Sequence, residues 1–382
     1  MKRKEKILGL IAALVVVIVI AVIIVAIPSV EKREKPTEPT TTETTTVTTT
    51  TETTTESTEP PTTEVTTAEI PDVEYNIQNS IILQGDRAME MYGISETSLK
   101  SYAKIINTIA KKCPSIMVYS LIAPTQVEFY GPEKYRTGSR SQRKGIQIAY
   151  DAMNDNVIKV DAWSSLAQHT DEYLYFRTDH HWTQRGAYYA YLAFAAQAGI
   201  ESPRPLDKYE TGKTEGFLGT MYGFSNQAQV LKDNPDYIEY FMPVNDASGE
   251  ILGINSKGKL TGENRPFKVV NPDATNYAGT FIQGDQAVER IVTSNKNGRK
   301  IIVIKESYGN CFVPFLTEGF EEIYVIDPRK DGVKQISLSG FAEDMGITDI
   351  LVINYSFATS NGAFKEPFAA IVNRDKPVET TA

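Results

Sequence analysis

The sequence predicts an α/β protein: a three-layer α/β/α domain built on a mostly parallel sheet, preceded by one transmembrane helix and a disordered stalk. Three observations predict it. Short apolar runs such as SIMVYSLIAPT (115–125), RKIIVI (299–304) and TDILVINYS (348–356) suit strands buried on both faces. Helical patterns lie between several such runs, as the crossovers of a parallel sheet require. Ahead of them stands a block of Thr, Glu and Pro, and ahead of that a long uncharged apolar segment.

From the N-terminus, residues 2–6 (KRKEK) are basic, and residues 7–27 (ILGLIAALVVVIVIAVIIVAI) carry no charge. At about 1.5 Å per residue such a helix spans a hydrocarbon core of roughly 30 Å. A cleaved signal peptide has a shorter apolar region, and Ala26-Ile27-Pro28 fits a cleavage site poorly. Residues 1–27 are therefore read as a cytoplasmic tip and signal anchor, oriented by Lys2, Arg3, Lys4 and Lys6. The rest of this single-pass chain is then expected outside the cell membrane.

Residues 28–74 are too poor in apolar side chains to bury a core, and a disordered linker is expected. Its threonines are candidates for O-glycosylation. The linker holds eleven acidic and three basic residues, which is most of the formal net charge of −9. The domain at 75–382 is thus close to neutral, and no basic patch points to nucleic acid. Cys113 and Cys311 make neither a disulfide framework nor a zinc cluster, and their pairing stays open.

Within the folded part, SIILQGD (80–86) reads as a strand and turn. An amphipathic helix over 95–113, opened by a Ser/Thr cap, comes next. Residues 141–156 look helical and VIKVDAW (157–163) looks like a strand. Residues 183–199 form a helical pattern with Thr183 as N-cap and Gly199 past its end. Over 201–280 the pattern loosens into Pro, Gly and Asn with short strands such as YIEYFMPV (237–244). Alternation resumes with RKIIVI, FVPFLTEGF (312–320), EEIYVID (321–327) and TDILVINYS. ILQGDRAMEM (82–91) and FIQGDQAVER (281–290) echo each other, as two similar strand-to-turn corners would.

Two segments carry candidate chemistry. In RKIIVIKESYGNCF (299–312) an apolar strand runs into Glu306, Ser307 and Tyr308. Ligands of parallel sheets bind beyond the carboxyl ends of strands, where a serine exposes its hydroxyl and offers its own N–H to an oxyanion. A helix-capping role would explain Ser307 equally.

The second segment is YFRTDHHWTQRGAYYAY (175–191), which holds two of the chain's three histidines. If it is locally extended, Asp179 and His181 share one side and His180 faces the other. Asp179 would then orient His181, His181 would take the Ser307 proton, and His180 and Trp182 would support them. A divalent metal on Asp179 and the histidines, completed by His169 or an acid, is an alternative. Adjacent histidines are poorly placed to share one ion, and no HExxH spacing occurs. A purely structural cluster around Trp182 is a third reading. A DHH run followed by Cys would suggest a membrane palmitoyltransferase, but Trp182 follows here and the zinc-binding cysteines are missing.

These residues resemble a known family. YFRTDHHWTQRGAYYAY, SIILQGDRAMEMYG, YSLIAPTQVEFYGPEKY, FLGTMYG and IIVIKESYGNCFVPFL are similar to the bacterial DHHW proteins over most of residues 80–360. That family is similar to the SGNH-hydrolase-like domains of the alginate O-acetylation proteins, whose TDxHW motif matches Thr178, Asp179, His181 and Trp182. In those enzymes Asp and His precede the serine, as 179 and 181 precede 307 here. The resemblance implies an SGNH-hydrolase-like fold and a Ser307–His181–Asp179 triad. It departs at Lys305-Glu306-Ser307, where SGNH enzymes have Gly-Asp-Ser. Candidates for the remaining oxyanion or substrate contacts are Asn354, Arg329 and Tyr308.

The expected function is an extracytoplasmic polysaccharide O-acetyltransferase or acetylesterase working through an acetyl-serine, with no cofactor. A polysaccharide would be the acceptor. The resemblance implies a multi-span membrane O-acyltransferase as the source of acetyl groups. The alternative is a non-catalytic carbohydrate-binding or scaffold protein of an acetylation complex.

Overall fold

A computed structural model describes residues 74–376, Asn79 excepted. The anchor expected at 7–27 and the linker at 28–74, Glu74 apart, lie outside the described residues. Among the described residues no helix is long and apolar enough to cross a membrane.

Thirteen strands are described. The first seven are β1 (Tyr75–Gln78), β2 (Ile81–Gln84), β3 (Arg87–Glu90), β4 (Met117–Ala123), β5 (Val157–Val160), β6 (Thr211–Phe217) and β7 (Asp236–Phe241). The rest are β8 (Ala247–Ile254), β9 (Leu260–Phe267), β10 (Val288–Thr293), β11 (Lys300–Lys305), β12 (Glu322–Ile326) and β13 (Asp349–Tyr355). Eight form one sheet in the order β5-β4-β13-β11-β12-β10-β8-β9. The first five of that order run parallel, and the β10, β8 and β9 pairings are antiparallel. β11 and β13 are central and almost wholly buried, which is why they read as unbroken Ile/Val/Leu runs.

The longer helices are α1 (Glu96–Lys112), α2 (Gln142–Asp151), α3 (Ala162–Ala167), α4 (Gln184–Ala198), α5 (Leu338–Met345) and α6 (Gly362–Asn373). They cover both faces of the sheet. Tyr119 of β4 packs on Phe194 of α4 at 5.1 Å, whereas Asn354, the cross-strand partner of Ile122, bonds Tyr102 of α1. Positions 119 and 122 point to opposite faces of one strand, so α1 and α4 lie on opposite sides. The chain is thus a mixed α/β fold with a large, mostly parallel sheet.

Three local expectations are revised. Ser95 stands at the α1 N-cap in extended backbone, but its side chain makes no capping bond. Segment 312–320 contains a 3₁₀ helix over Val313–Glu318, because Pro314 lacks the N–H that a central strand needs. The loose region after 200 supplies the β8–β9 hairpin, whose turn at 255–259 includes Gly258 at φ +76° and hides the strand pattern. The echoed Gln-Gly-Asp corners both turn on left-handed glycines, Gly85 and Gly284.

Two features position the site. Thr183 caps α4 by accepting the Gly186 N–H at 3.2 Å, and Gly199 ends it at φ +64°. Gly186 has no room for a Cβ against the Leu174 carbonyl and Trp182, so the start of α4 is pressed onto the loop before it. β11 ends at Lys305, with Glu306 between it and Ser307, beside β13 in register Lys305↔Ile353.

Candidate active site

The run 175–182 closes on itself through a bridge between Tyr175 and Trp182, and 177–181 is a bend. The extended geometry expected for Asp179 and His181 is therefore not the one found. A turn made by the aspartate itself brings them together: Asp179 Oδ1 accepts the His181 backbone N–H at 3.0 Å and His181 Nδ1–H at 2.5 Å. His180 does not face away either. Its ring lies 3.9 Å from that of His181, and its Nδ1–H donates to Thr220 Oγ1 at 2.7 Å.

Asp179 accepts only, so the shared proton sits on His181 Nδ1 and leaves Nε2 as acceptor. The Ser307 hydroxyl donates to that Nε2 at 2.8 Å. Ser307 is half-buried, whereas Asp179 and His181 are buried. The second Asp179 oxygen accepts the Thr220 N–H at 2.7 Å and the Thr220 hydroxyl at 3.0 Å. Burial alone would raise the Asp179 pKa, but the charge and hydrogen bond of His181, with His180 and Thr220, outweigh it. The carboxyl is held well below the usual carboxylate range. Burial, then repulsion from His181, lowers His180.

Neighbours without a local sequence signal complete the geometry. Tyr277 stacks on His181 at 4.2 Å, and its hydroxyl donates to the Ser307 carbonyl at 3.0 Å. Gly219 lies so close that a Cβ there would collide with the Asp179 carboxyl. Asp236, buried, accepts the N–H groups of Arg177 and Thr178 and the Thr178 and Tyr173 hydroxyls, fixing the chain ahead of Asp179. Only FLGTMYG, which contains Gly219 and Thr220, stood out beforehand, and then by resemblance alone.

The serine turn is built from Lys305 and Glu306. Glu306 accepts the N–H of Tyr308 and the N–H of Tyr355 at 2.9 Å each, tying the end of β11 to the end of β13. Burial raises its pKa against those two bonds. Lys305 is fully buried and donates to Asp285 at 2.9 Å and to Asn310 at 2.5 Å. Asp285 also pairs with Arg329; Lys305 and Arg329 outweigh its burial and hold it well below the ordinary range. Trp182 donates its indole N–H to the Tyr308 carbonyl at 2.8 Å, joining the DHHW run to the same turn.

The structure thus brings together Ser307, His181 and Asp179, with His180, Trp182 and Tyr308 around them. It does not bring Asn354 or Arg329 to the serine. Asn354 lies on the α1 face of β13, where its Oδ1 accepts from Tyr102 at 2.8 Å and its Nδ2 has no partner. Arg329 is engaged by Asp327 and Asp285. Tyr308 is fully buried, and its hydroxyl donates to the His180 carbonyl. Among the described residues, Ser307 has the one N–H of the 307–310 turn that makes no hydrogen bond; the other three bond to Glu306 and the Ser307 carbonyl.

Asp179, His180 and His181 lie close enough to offer a metal three donors within 4.8 Å. The atoms Asp179 Oδ1, His181 Nδ1 and Nε2, and His180 Nδ1 are already committed to the hydrogen bonds described. His169 is elsewhere, stacked on Tyr189 at 3.6 Å and bonded to Glu172. Cys113 and Cys311 are free and buried, with Cys311 behind the site against the Thr183 carbonyl.

The profile of the family described as DHHW protein matches residues 34–326. A solved DHHW family protein from Eubacterium siraeum is 34% identical, covering 78% of this chain and 97% of its own, with a TM-score of 0.69. PatB1 of Bacillus cereus, solved with a sulfonyl adduct, is similar at 16% identity over 77% of this chain and 99% of its own, with a TM-score of 0.59. The O-acetyltransferase domain of Pseudomonas putida AlgJ is similar at 11% identity over 78% and 99%, with a TM-score of 0.43. No curated protein matches the chain.

Proposed function

The chain belongs to the DHHW protein family, and from that premise we propose that it is a polysaccharide O-acetyltransferase or acetylesterase with a Ser307–His181–Asp179 triad on an SGNH-hydrolase-like fold. The observation that carries this reading is the unbroken relay from Asp179 through both nitrogens of His181 to Ser307. Ser307 Oγ adds to the acyl carbonyl carbon as its proton passes to His181 Nε2. Asp179 stabilises the resulting imidazolium without taking the proton itself. The Ser307 N–H faces the developing oxyanion. Collapse expels the leaving alcohol with the His181 proton, leaving acetyl-Ser307. In the second half-reaction His181 deprotonates the acceptor hydroxyl, which attacks the ester and frees Ser307.

Water as acceptor makes an esterase, and a sugar hydroxyl makes a transferase. Placed outside the membrane by an anchor at 7–27, the domain would draw acetyl groups from a multi-span membrane O-acyltransferase. One observation favours the non-catalytic carbohydrate-binding or scaffold alternative: Asn354 and Arg329 supply no oxyanion contact. Turnover of an aryl acetate, with and without an oligosaccharide acceptor, decides between them. The account predicts that Ser307→Ala loses roughly 10³-fold or more in turnover. Turnover no higher in wild type than in the variant would overturn the catalytic reading.

A further inference from the structure

Beside the nucleophile lies a half-open aromatic surface that the triad does not use. Tyr355, at the end of β13, stacks on buried Tyr308 at 4.8 Å and on Phe357 at 5.6 Å. Phe357 in turn meets Tyr92 edge-on at 5.4 Å. The His180 ring lies 6.1 Å from that of Tyr355, so the row begins beside the triad and runs away from it. Tyr355 and Phe357 are half-buried, each leaving surface to solvent.

Glu90, the last residue of β3, borders the same surface. Ala88 donates its N–H to the Arg177 carbonyl at 2.9 Å, and Tyr92 packs on Phe357, so Glu90 sits between the DHHW loop and the aromatic row. The Glu90 carboxyl is half-buried and makes no hydrogen bond or ion pair among the described residues; burial raises its pKa, against the pull of His180. The Tyr355 hydroxyl and His180 Nε2 also lack hydrogen-bond partners among the described residues. Unsatisfied polar groups around an aromatic floor, next to a nucleophile, are what a ligand site offers.

We propose that Glu90, Tyr355 and Phe357 form the acceptor subsite, taking a neutral pyranose whose ring rests on Tyr355 and Phe357 and whose hydroxyls donate to Glu90. This rests on the acyl-transfer reading of the site. Stacking suits the apolar face of a sugar ring, and a carboxylate accepts from vicinal hydroxyls. A uronate residue is disfavoured, because its own carboxylate would meet Glu90, while the nearby Arg329 is already paired with Asp285 and Asp327.

The test measures binding rather than turnover, so it does not depend on the chemistry. The full chain carrying Ser307→Ala is titrated with tetrasaccharides of glucose, mannose, galactose and N-acetylglucosamine, and with a tetrasaccharide of mannuronate. The proposal predicts that at least one neutral tetrasaccharide binds more tightly than the uronate. Adding Glu90→Gln or Phe357→Ala should weaken that binding about tenfold, and Tyr355→Phe by less, in proteins whose melting is checked alongside. No binding of any neutral tetrasaccharide, preference for the uronate, or unchanged affinity in Glu90→Gln would overturn it. Turnover of Ser307→Ala separately reports on the triad, so failure of the triad and failure of the subsite are distinguishable.

Discussion

Asp179 accepts four hydrogen bonds, two from His181 and two from Thr220, and the closeness of Gly219 lets Thr220 reach it. Two predictions belong to this residue. Asp179→Asn presents an amide N–H where His181 Nδ1–H must donate, which favours the wrong tautomer; turnover should fall by roughly 10⁴-fold with little change in KM. Gly219→Ala pushes a methyl into the carboxyl and should lower turnover about 10²-fold, since small misplacements near the reacting atoms are costly. Wild-type rates in a folded Gly219→Ala protein would show that the contact is slack.

At the same scale, the sequence disclosed the residue types and their order but not their geometry. Asp-x-His was legible as a pair, yet an aspartate-centred turn makes that pair, where an extended chain was expected. Tyr277 and Asp236 were illegible because one reaches the site from a single-turn helix and the other from the start of β7, with no local pattern to mark them.

At the scale of elements, the nucleophile turn is a joint between β11 and β13. Glu306 makes that joint by accepting one N–H from each side. Glu306→Ala leaves two N–H groups without their acceptor and should cost about 2–4 kcal/mol of stability along with most activity; denaturant melts and turnover check it. An unchanged midpoint would remove Glu306 from the joint. Asn354 was misplaced for a reason at this scale too. It stands one residue from the end of an apolar strand at the active-site edge, but strand alternation turns it to the α1 face. The strands themselves were legible wherever a parallel core demands unbroken apolar residues. The β8–β9 hairpin was not, because its edge position permits polar residues and a glycine turn.

For the whole molecule, Glu289 of β10 is a buried carboxyl with no hydrogen-bond partner among the described residues. Burial raises its pKa well above the ordinary value, helped by Asp285 and Asp327 and opposed by Lys305. Its protonated form is favoured in the folded state, so above the ordinary carboxyl pKa the unfolded chain releases the proton first. Stability therefore falls as pH rises from that value toward the folded one. Glu289→Gln should melt level with wild type near about pH 4 and above it near about pH 8; no difference at the higher pH would show that the charge is compensated.

The central claim, an activated serine, is read most directly by trapping it. The full chain is treated with a sulfonyl fluoride, a reagent class that attacks activated serines, and its intact mass and modified peptide are measured. The account predicts one adduct, on Ser307, formed in wild type and lost in His181→Ala. No adduct, an adduct elsewhere, or equal labelling of His181→Ala would contradict it.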